Sequence, residues 1–305
     1  MAASLLFWNN KGGVGKTFAS HGFALAHARA HPDELVVAVD LDPQADLSAL
    51  LLGDARVAQL CDADLNADLS MGEDAVPPTV AGWLSHVRQA HRVPPLHFLH
   101  PHAEVANLRV VCGDPALAGL ASALTPLLLS AAPAGRAVTH FALWSRRLRC
   151  LFQHVSALAA GMGFAGTTRF VLDAGAYAGP EAALAMLSAD AMLVPTSAET
   201  LTVRATARAV RYFRHVHSRD CPRGTDNVWV DRAAEAGTGA QPVSVYLLER
   251  GNGQAVLTEC AGPAGVDVWH GLVAEGTVPA QQIAAAAGWK ARPDEGAAKR
   301  QRIDA

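Results

Sequence analysis

The sequence predicts an α/β protein built on a doubly wound, mostly parallel sheet with helices on both faces, and three observations carry that expectation. A short apolar run, Leu5-Leu6-Phe7-Trp8, leads through a glycine-rich turn into a helical segment. Two further runs, Leu35-Val-Val-Ala-Val-Asp40 and Arg169-Phe-Val-Leu-Asp173, are continuously apolar and end in carboxylates. Strands covered on both faces have that unbroken character, and open parallel sheets collect ligands at the carboxyl ends of their strands.

Composition sets the outer bounds. Half of the 305 residues are hydrophobic, enough to bury a large core, and a single domain over 1–290 is expected, with a polar, disordered tail over 291–305. The formal net charge of −3 gives no global electrostatic case for nucleic-acid binding, so any such contact must come from a local patch. The five cysteines, at 61, 112, 150, 221 and 260, contain no C-x-x-C pair and suit free thiols in a reducing cytoplasm. No apolar run is long enough to span a bilayer and no signal peptide is expected, so a cytoplasmic protein follows.

The turn after the first strand is Lys11-Gly12-Gly13-Val14-Gly15-Lys16-Thr17. Its glycines let the backbone turn tightly and point successive N–H groups at a polyanion. Lys16 can reach the β and γ oxygens of a triphosphate, and Thr17, opening the next helix, can place its hydroxyl on Mg²⁺. Gly12, Gly13, Val14, Gly15, Lys16, Thr17 and Phe18 form the expected nucleotide cradle. The general pattern G-x-x-x-x-G-K-[ST] does not fit, because Asn10 stands where it needs glycine.

The form that does fit, K-G-G-x-G-K-[ST], resembles the deviant phosphate loop of the ParA/MinD family of P-loop ATPases. That resemblance implies a P-loop NTPase fold, ATP and Mg²⁺ as cofactors, weak ATPase activity and an ATP-dependent homodimer in which Lys11 reaches the neighbouring subunit's phosphates. Asp40-Leu-Asp42-Pro-Gln-Ala-Asp46 resembles the family's D-x-D-P-Q-[GA]-N box, with Asp46 in place of the usual asparagine. The resemblance assigns Asp40 to the magnesium environment and Asp42 to the hydrolytic water, beside Lys11 and Lys16. Asp173 matches the carboxylate that holds a magnesium-bound water, although no proline follows closely behind it. Ala189-Asp190-Ala-Met-Leu-Val-Pro195 resembles a further strand of the family.

The remaining segments carry less chemistry. Thr17 to about Ala30 is expected to be helical, and its histidines are assigned no role. Gly53 to about Pro78, acidic and ending in Pro77-Pro78, predicts a solvated loop with a short helix. Val80 to Arg92 has helical periodicity, and His91, His97, His100 and His102 lie in a surface connector rather than at a metal. Asn107 to Ala118 predicts a strand, a turn and a helix start capped by Asp114. A helix at about His140 to Ala160 is expected to bury Phe141, Trp144, Leu148, Leu151, Phe152 and Val155 in the core, with Arg146, Arg147 and Arg149 on a solvated face. Strands are expected at Asn227–Val230, Val243–Leu248 and Val266–Val273, and a short helix at Val278–Ala287.

Leu201 to about Ser218 is strongly amphipathic. Arg204, Arg208, Arg211 and Arg214 follow i, i+4, i+7, i+10 along one stripe. Two readings stay open: a ladder neutralising DNA phosphates without reading sequence, or a solvated face pairing with nearby acids. After Trp289 only Ile303 is bulky and apolar, so a MinD-like membrane helix is not expected and no membrane partner follows. A partition-type relative is favoured, segregating plasmid, chromosome or mobile-element DNA with a ParB-like or other DNA-bound adaptor, and nucleoid-associated if it binds nonspecific DNA. The alternatives are a positioning or regulatory switch acting through a protein partner and, further off, a metabolic ligase on the same fold.

Overall fold

The structure, a computed structural model, describes residues 3–70, 78–84, 98–119, 135–196, 200–217, 225–236, 244–251 and 254–259. The expected strand at 266–273, the helix at 278–287, the tail, and His91 and His97 lie outside the described residues.

Among the described residues, eight strands form one sheet: β1 (Ala3–Phe7), β2 (Val36–Asp40), β3 (His100–Pro101), β4 (Leu108–Val111), β5 (Arg169–Asp173), β6 (Ala191–Thr196), β7 (Ser244–Gly251) and β8 (Gln254–Glu259). Their order is β3-β4-β2-β5-β1-β6-β7-β8. The six inner strands run parallel, and the outermost described strands, β3 and β8, pair antiparallel.

Strand alternation divides the core into two layers. Leu5, Phe7, Val36, Ala38, Val171 and Leu193 face Phe23, Ala24 and Ala28 of α1 (Lys16–Ala30) and Leu47 and Leu51 of α2 (Asp46–Leu52). Their neighbours Leu6, Trp8, Val37, Val39, Phe170, Leu172, Met192 and Val194 face the opposite way. That layer is covered by α4 (Gly135–Ala159), α5 (Pro180–Ser188), α6 (Thr200–Val216) and α7 (Val228–Ala236). Leu148, Leu151, Phe152 and Val155 of α4 are buried there as expected, while the side chains of Phe141 and Trp144 lie outside the described residues.

Three expectations are corrected. The acidic stretch after Gly53 is not a loop with a short helix over its first part but a seventeen-residue helix, α3 (Asp54–Ser70). Leu60 is buried and Val57 and Cys61 half-buried at i, i+3, i+4 spacing, while Asp62 is exposed, so acidic content concealed an amphipathic face. Asn227–Val230 is not a strand but the start of α7. The Asn227 side-chain oxygen accepts from the N–H groups of Trp229 (2.9 Å) and Val230 (3.2 Å), an N-cap that sets the helix. Arg149 is not simply solvated: its guanidinium donates to the Leu187 carbonyl, while His217 bonds the Met186 carbonyl (2.7 Å), so both close the open C-terminal end of α5.

The amino-terminal edge of the sheet is locked by a buried ionic cluster. Arg169 Nε lies 3.1 Å from Glu34 Oε2 and its second nitrogen 3.2 Å from Oε1, a two-pronged pair joined by His27 Nε2 at 3.0 Å. Burial pushes the Glu34 carboxyl up, but His27 and Arg169 outweigh it and hold it at about 2. Asn107 Nδ2 lies 2.9 Å from the carbonyls of Ala28, His31 and Glu34, tying α1 and the approach to β2 onto β4.

Candidate functional site

The site forms where β1, β2 and β5 end level, since Phe7 and Asp40 both register with Asp173. The chain leaving β1 is fixed first. Asn9 donates to the Pro195 carbonyl (2.8 Å) and to Thr206 (3.1 Å) while its oxygen accepts the Lys11 N–H (3.1 Å), and Thr206 also bonds Thr196 (2.7 Å). Gly13 and Gly15 then take left-handed backbone angles, φ +76° and +83°, which aim the loop straight into α1. Gly12 and Gly13 are exposed, Val14 is buried beneath them, and Phe18 stands 58% exposed beside them.

The two lysines have different surroundings. Lys16 is buried and donates to the Lys11 carbonyl (3.3 Å). Burial lowers its pKa, and the charges of Asp173 and Asp42 oppose that fall. Lys11 instead donates to the Thr202 hydroxyl (2.7 Å) in the first turn of α6.

Three carboxylates converge, each in a different state. Asp40 is fully buried and its oxygens are engaged: Oδ1 accepts the Asp42 N–H (3.0 Å), and Oδ2 accepts the Ser48 N–H (2.8 Å) and hydroxyl (2.7 Å). Burial still pushes it up to about 6. Asp42, half-buried, accepts the Gln44 N–H (3.0 Å). Asp173 is fully buried and neither carboxylate oxygen makes a well-formed hydrogen bond, although the Thr17 hydroxyl lies near enough to act on it. Burial raises its pKa well above the usual range, the Asp40 charge adds to that, and the Thr17 hydroxyl and Lys16 ammonium pull the other way. An unpartnered buried carboxylate beside a hydroxyl at a helix N-terminus fits a magnesium ion that keeps most of its waters. Thr17 and Asp173 would hold it, and the ion would supply charge neutralisation for a bound polyphosphate.

Several residues of this arrangement were not found by sequence reasoning. At Gly113 a Cβ would lie 2.9 Å from the Asp40 carboxyl carbon, and at Gly175 it would lie 3.3 Å from the Asp42 carboxylate atoms, so both glycines are spaces that carboxylates fill. The buried Trp8 donates its indole N–H to the Gly175 carbonyl (2.8 Å) and lies against Tyr212 of α6, with ring centroids 6.4 Å apart. Glu181, half-buried in the first turn of α5, has its pKa raised by burial and then by the Asp42 charge. A tryptophan directly after an apolar strand was the available signal for the first of these contacts. Nothing in the local pattern marks the glycines, whose constraint comes from another strand's side chain.

The arginine stripe lies on α6. Arg204, Arg208 and Arg211 are exposed and Arg214 is half-buried. Asp226 gathers two of them, Arg208 at 3.3 Å and Arg211 at 2.9 Å, and accepts the Tyr212 hydroxyl at 2.6 Å. Among the described residues, no helix is long and apolar enough to cross a membrane.

Residues 5–257 match the family model of the CobQ/CobB/MinD/ParA nucleotide binding domain. No curated protein matches the chain. Among solved structures, protein DIP2308 from Corynebacterium diphtheriae is similar at 22% identity and a TM-score of 0.52, over 77% of this chain and 69% of that one. Apo McdA from Cyanothece aligns at 13% identity and 0.49, over 83% and 87%. Cobyrinic acid a,c-diamide synthase from Mycobacterium smegmatis, with bound ADP and magnesium, aligns at 23% and 0.44, over 71% and 68%. The two-lysine loop on a parallel sheet, matched by a family model over most of its length, establishes that the chain belongs to the CobQ/CobB/MinD/ParA family of P-loop nucleotide-binding domains.

Proposed function

We propose that the protein is a slow, magnesium-dependent ATPase of the ParA type that dimerises on ATP and helps to segregate plasmid, chromosome or mobile-element DNA with a DNA-bound adaptor. The observation that carries this reading is the two-lysine loop set against Asp42 and the unpartnered Asp173 at the level ends of β1, β2 and β5. Lys16 and the loop N–H groups from Gly12 to Phe18 bind the triphosphate, with Thr17 and Asp173 toward the metal. Asp42 orients the attacking water and accepts its proton. Asp40 acts on the metal through its charge and, through Asp42 N–H and Ser48, fixes the loop that carries Asp42. Lys11 exchanges the Thr202 hydroxyl for the phosphates of a second copy. Sedimentation of an Asp42→Ala variant, which cannot turn ATP over, should show a dimer with ATP and a monomer without it; a monomer in both conditions rejects the dimer.

The stripe of Arg204, Arg208, Arg211 and Arg214 supplies nonspecific DNA binding in this reading. One observation favours a second reading, a positioning or regulatory switch that recruits a protein: Arg208 and Arg211 already have an acidic partner in Asp226. ATP-dependent retention on nonspecific duplex, lost on replacing Arg204, Arg208 and Arg211 with alanine, selects DNA; retention unchanged by those substitutions selects the switch.

A further inference from the structure

Asp226 makes an unusual set of contacts for a turn residue. Its two neighbours do the structural work of the turn. Asn227 caps α7, and the Thr225 hydroxyl bonds Asp231 (2.7 Å), which also meets His215 (3.0 Å). Asp226 instead faces α6, where its carboxylate draws two guanidiniums from successive turns onto one anion. Both arginines and Asp226 are about half exposed, so this is a screened, replaceable pair of contacts rather than a buried lock. What holds the carboxylate there is Tyr212. The tyrosine is buried, donates its hydroxyl at 2.6 Å, and lies under the Arg211 guanidinium, 5.9 Å from the ring centroid.

Two arginines converging on one oxyanion, with a third, Arg204, exposed one turn before Arg208, form a site whose charge and donors suit a phosphate group. We propose that Asp226 is a built-in stand-in for a nucleic-acid phosphate, occupying the anion position between Arg208 and Arg211 and competing there with the backbone of duplex DNA. The inference rests on the DNA-binding reading above and adds its regulation. A phosphodiester backbone displaces the carboxylate because it brings many charges along the stripe, whereas Asp226 brings one.

The test is anisotropy with a nonspecific duplex of about 30 base pairs, with and without ATP, at low salt where phosphate contacts are strongest. Asp226→Asn keeps the acceptor for Tyr212 and removes the charge. It should tighten duplex binding about fivefold to tenfold over the unmodified protein, and Arg208→Ala with Arg211→Ala should abolish that gain. Unchanged affinity in Asp226→Asn, with binding weakened by the arginine substitutions, overturns the stand-in and leaves the DNA reading intact. Duplex binding indifferent to both sets of substitutions rejects the DNA reading and this inference with it. Tighter binding of Asp226→Asn to polyglutamate but not to duplex assigns the site to an acidic protein and also overturns the proposal. An unaltered thermal midpoint in Asp226→Asn is expected, since the turn is capped by its neighbours.

Discussion

The two ends of the parallel sheet treat buried charge in opposite ways. At the amino-terminal end Glu34 is buried with Arg169 and His27, its oxygens paired and its pKa held at about 2. At the carboxyl end Asp173 is buried with both oxygens unpartnered, and Asp40 beside it is pushed up to about 6 despite three hydrogen bonds. The same strand, β5, joins them: Arg169 begins it and Asp173 ends it. One end spends its charge on holding the fold, while the other leaves charge poorly solvated, which a proton or a ligand of opposite sign relieves.

Breaking the paired end should have the largest effect. Glu34→Gln leaves Arg169 with no carboxylate of Glu34 to face, and a loss of ~3–5 kcal/mol in urea unfolding is expected, with ATP affinity of the folded protein unchanged. The pH profile of the metal-free protein should show both ends, with slopes of opposite sign. Glu34 titrates lower in the folded than in the unfolded chain, so its contribution is present above about 4.5 and is lost as pH falls toward about 2. Asp40, pushed up to about 6, and Asp173 both titrate higher when folded, so stability rises as pH falls toward 3.8. The Glu34 limb is on the order of 3 kcal/mol, and Glu34→Gln should erase it while leaving the limb of opposite sign.

Asp173→Asn sharpens the contrast from the other side. Removing an unpartnered buried charge should stabilise the metal-free protein by ~1–3 kcal/mol while ending the magnesium dependence of nucleotide binding, read by calorimetry with and without the ion. The smallest effect is expected at Ala45, whose φ of +55° puts a side chain in the left-handed region just before α2. Ala45→Gly relieves that conformation and should add no more than about 1 kcal/mol, without moving Asp40 or Asp42.

Much of the candidate site's geometry was legible because its residues announce themselves locally. The glycine and lysine spacing at 11–17 and apolar runs ending at Asp40 and Asp173 are continuous in sequence, so each specifies a turn or a strand end without knowledge of the rest. The helix at 54–70 is hidden by its own acids, and α7 by the strand-like Val228-Trp229-Val230 that follows the Asn227 cap. In both cases burial of one face overrode composition.

The sequence by itself determined the sheet class, the glycine-rich turn at 11–17 and the identity of the acids at the strand ends, because each depends on backbone preference and periodicity within a few residues. Only the tertiary structure decided which acid is which. Asp40 is occupied by Ser48, Asp173 is left open, Gly113 and Gly175 clear space for carboxylates of another segment, and Asp226 sits on two of the arginines. Those distinctions come from desolvation and from partners tens of residues away, which no local pattern encodes.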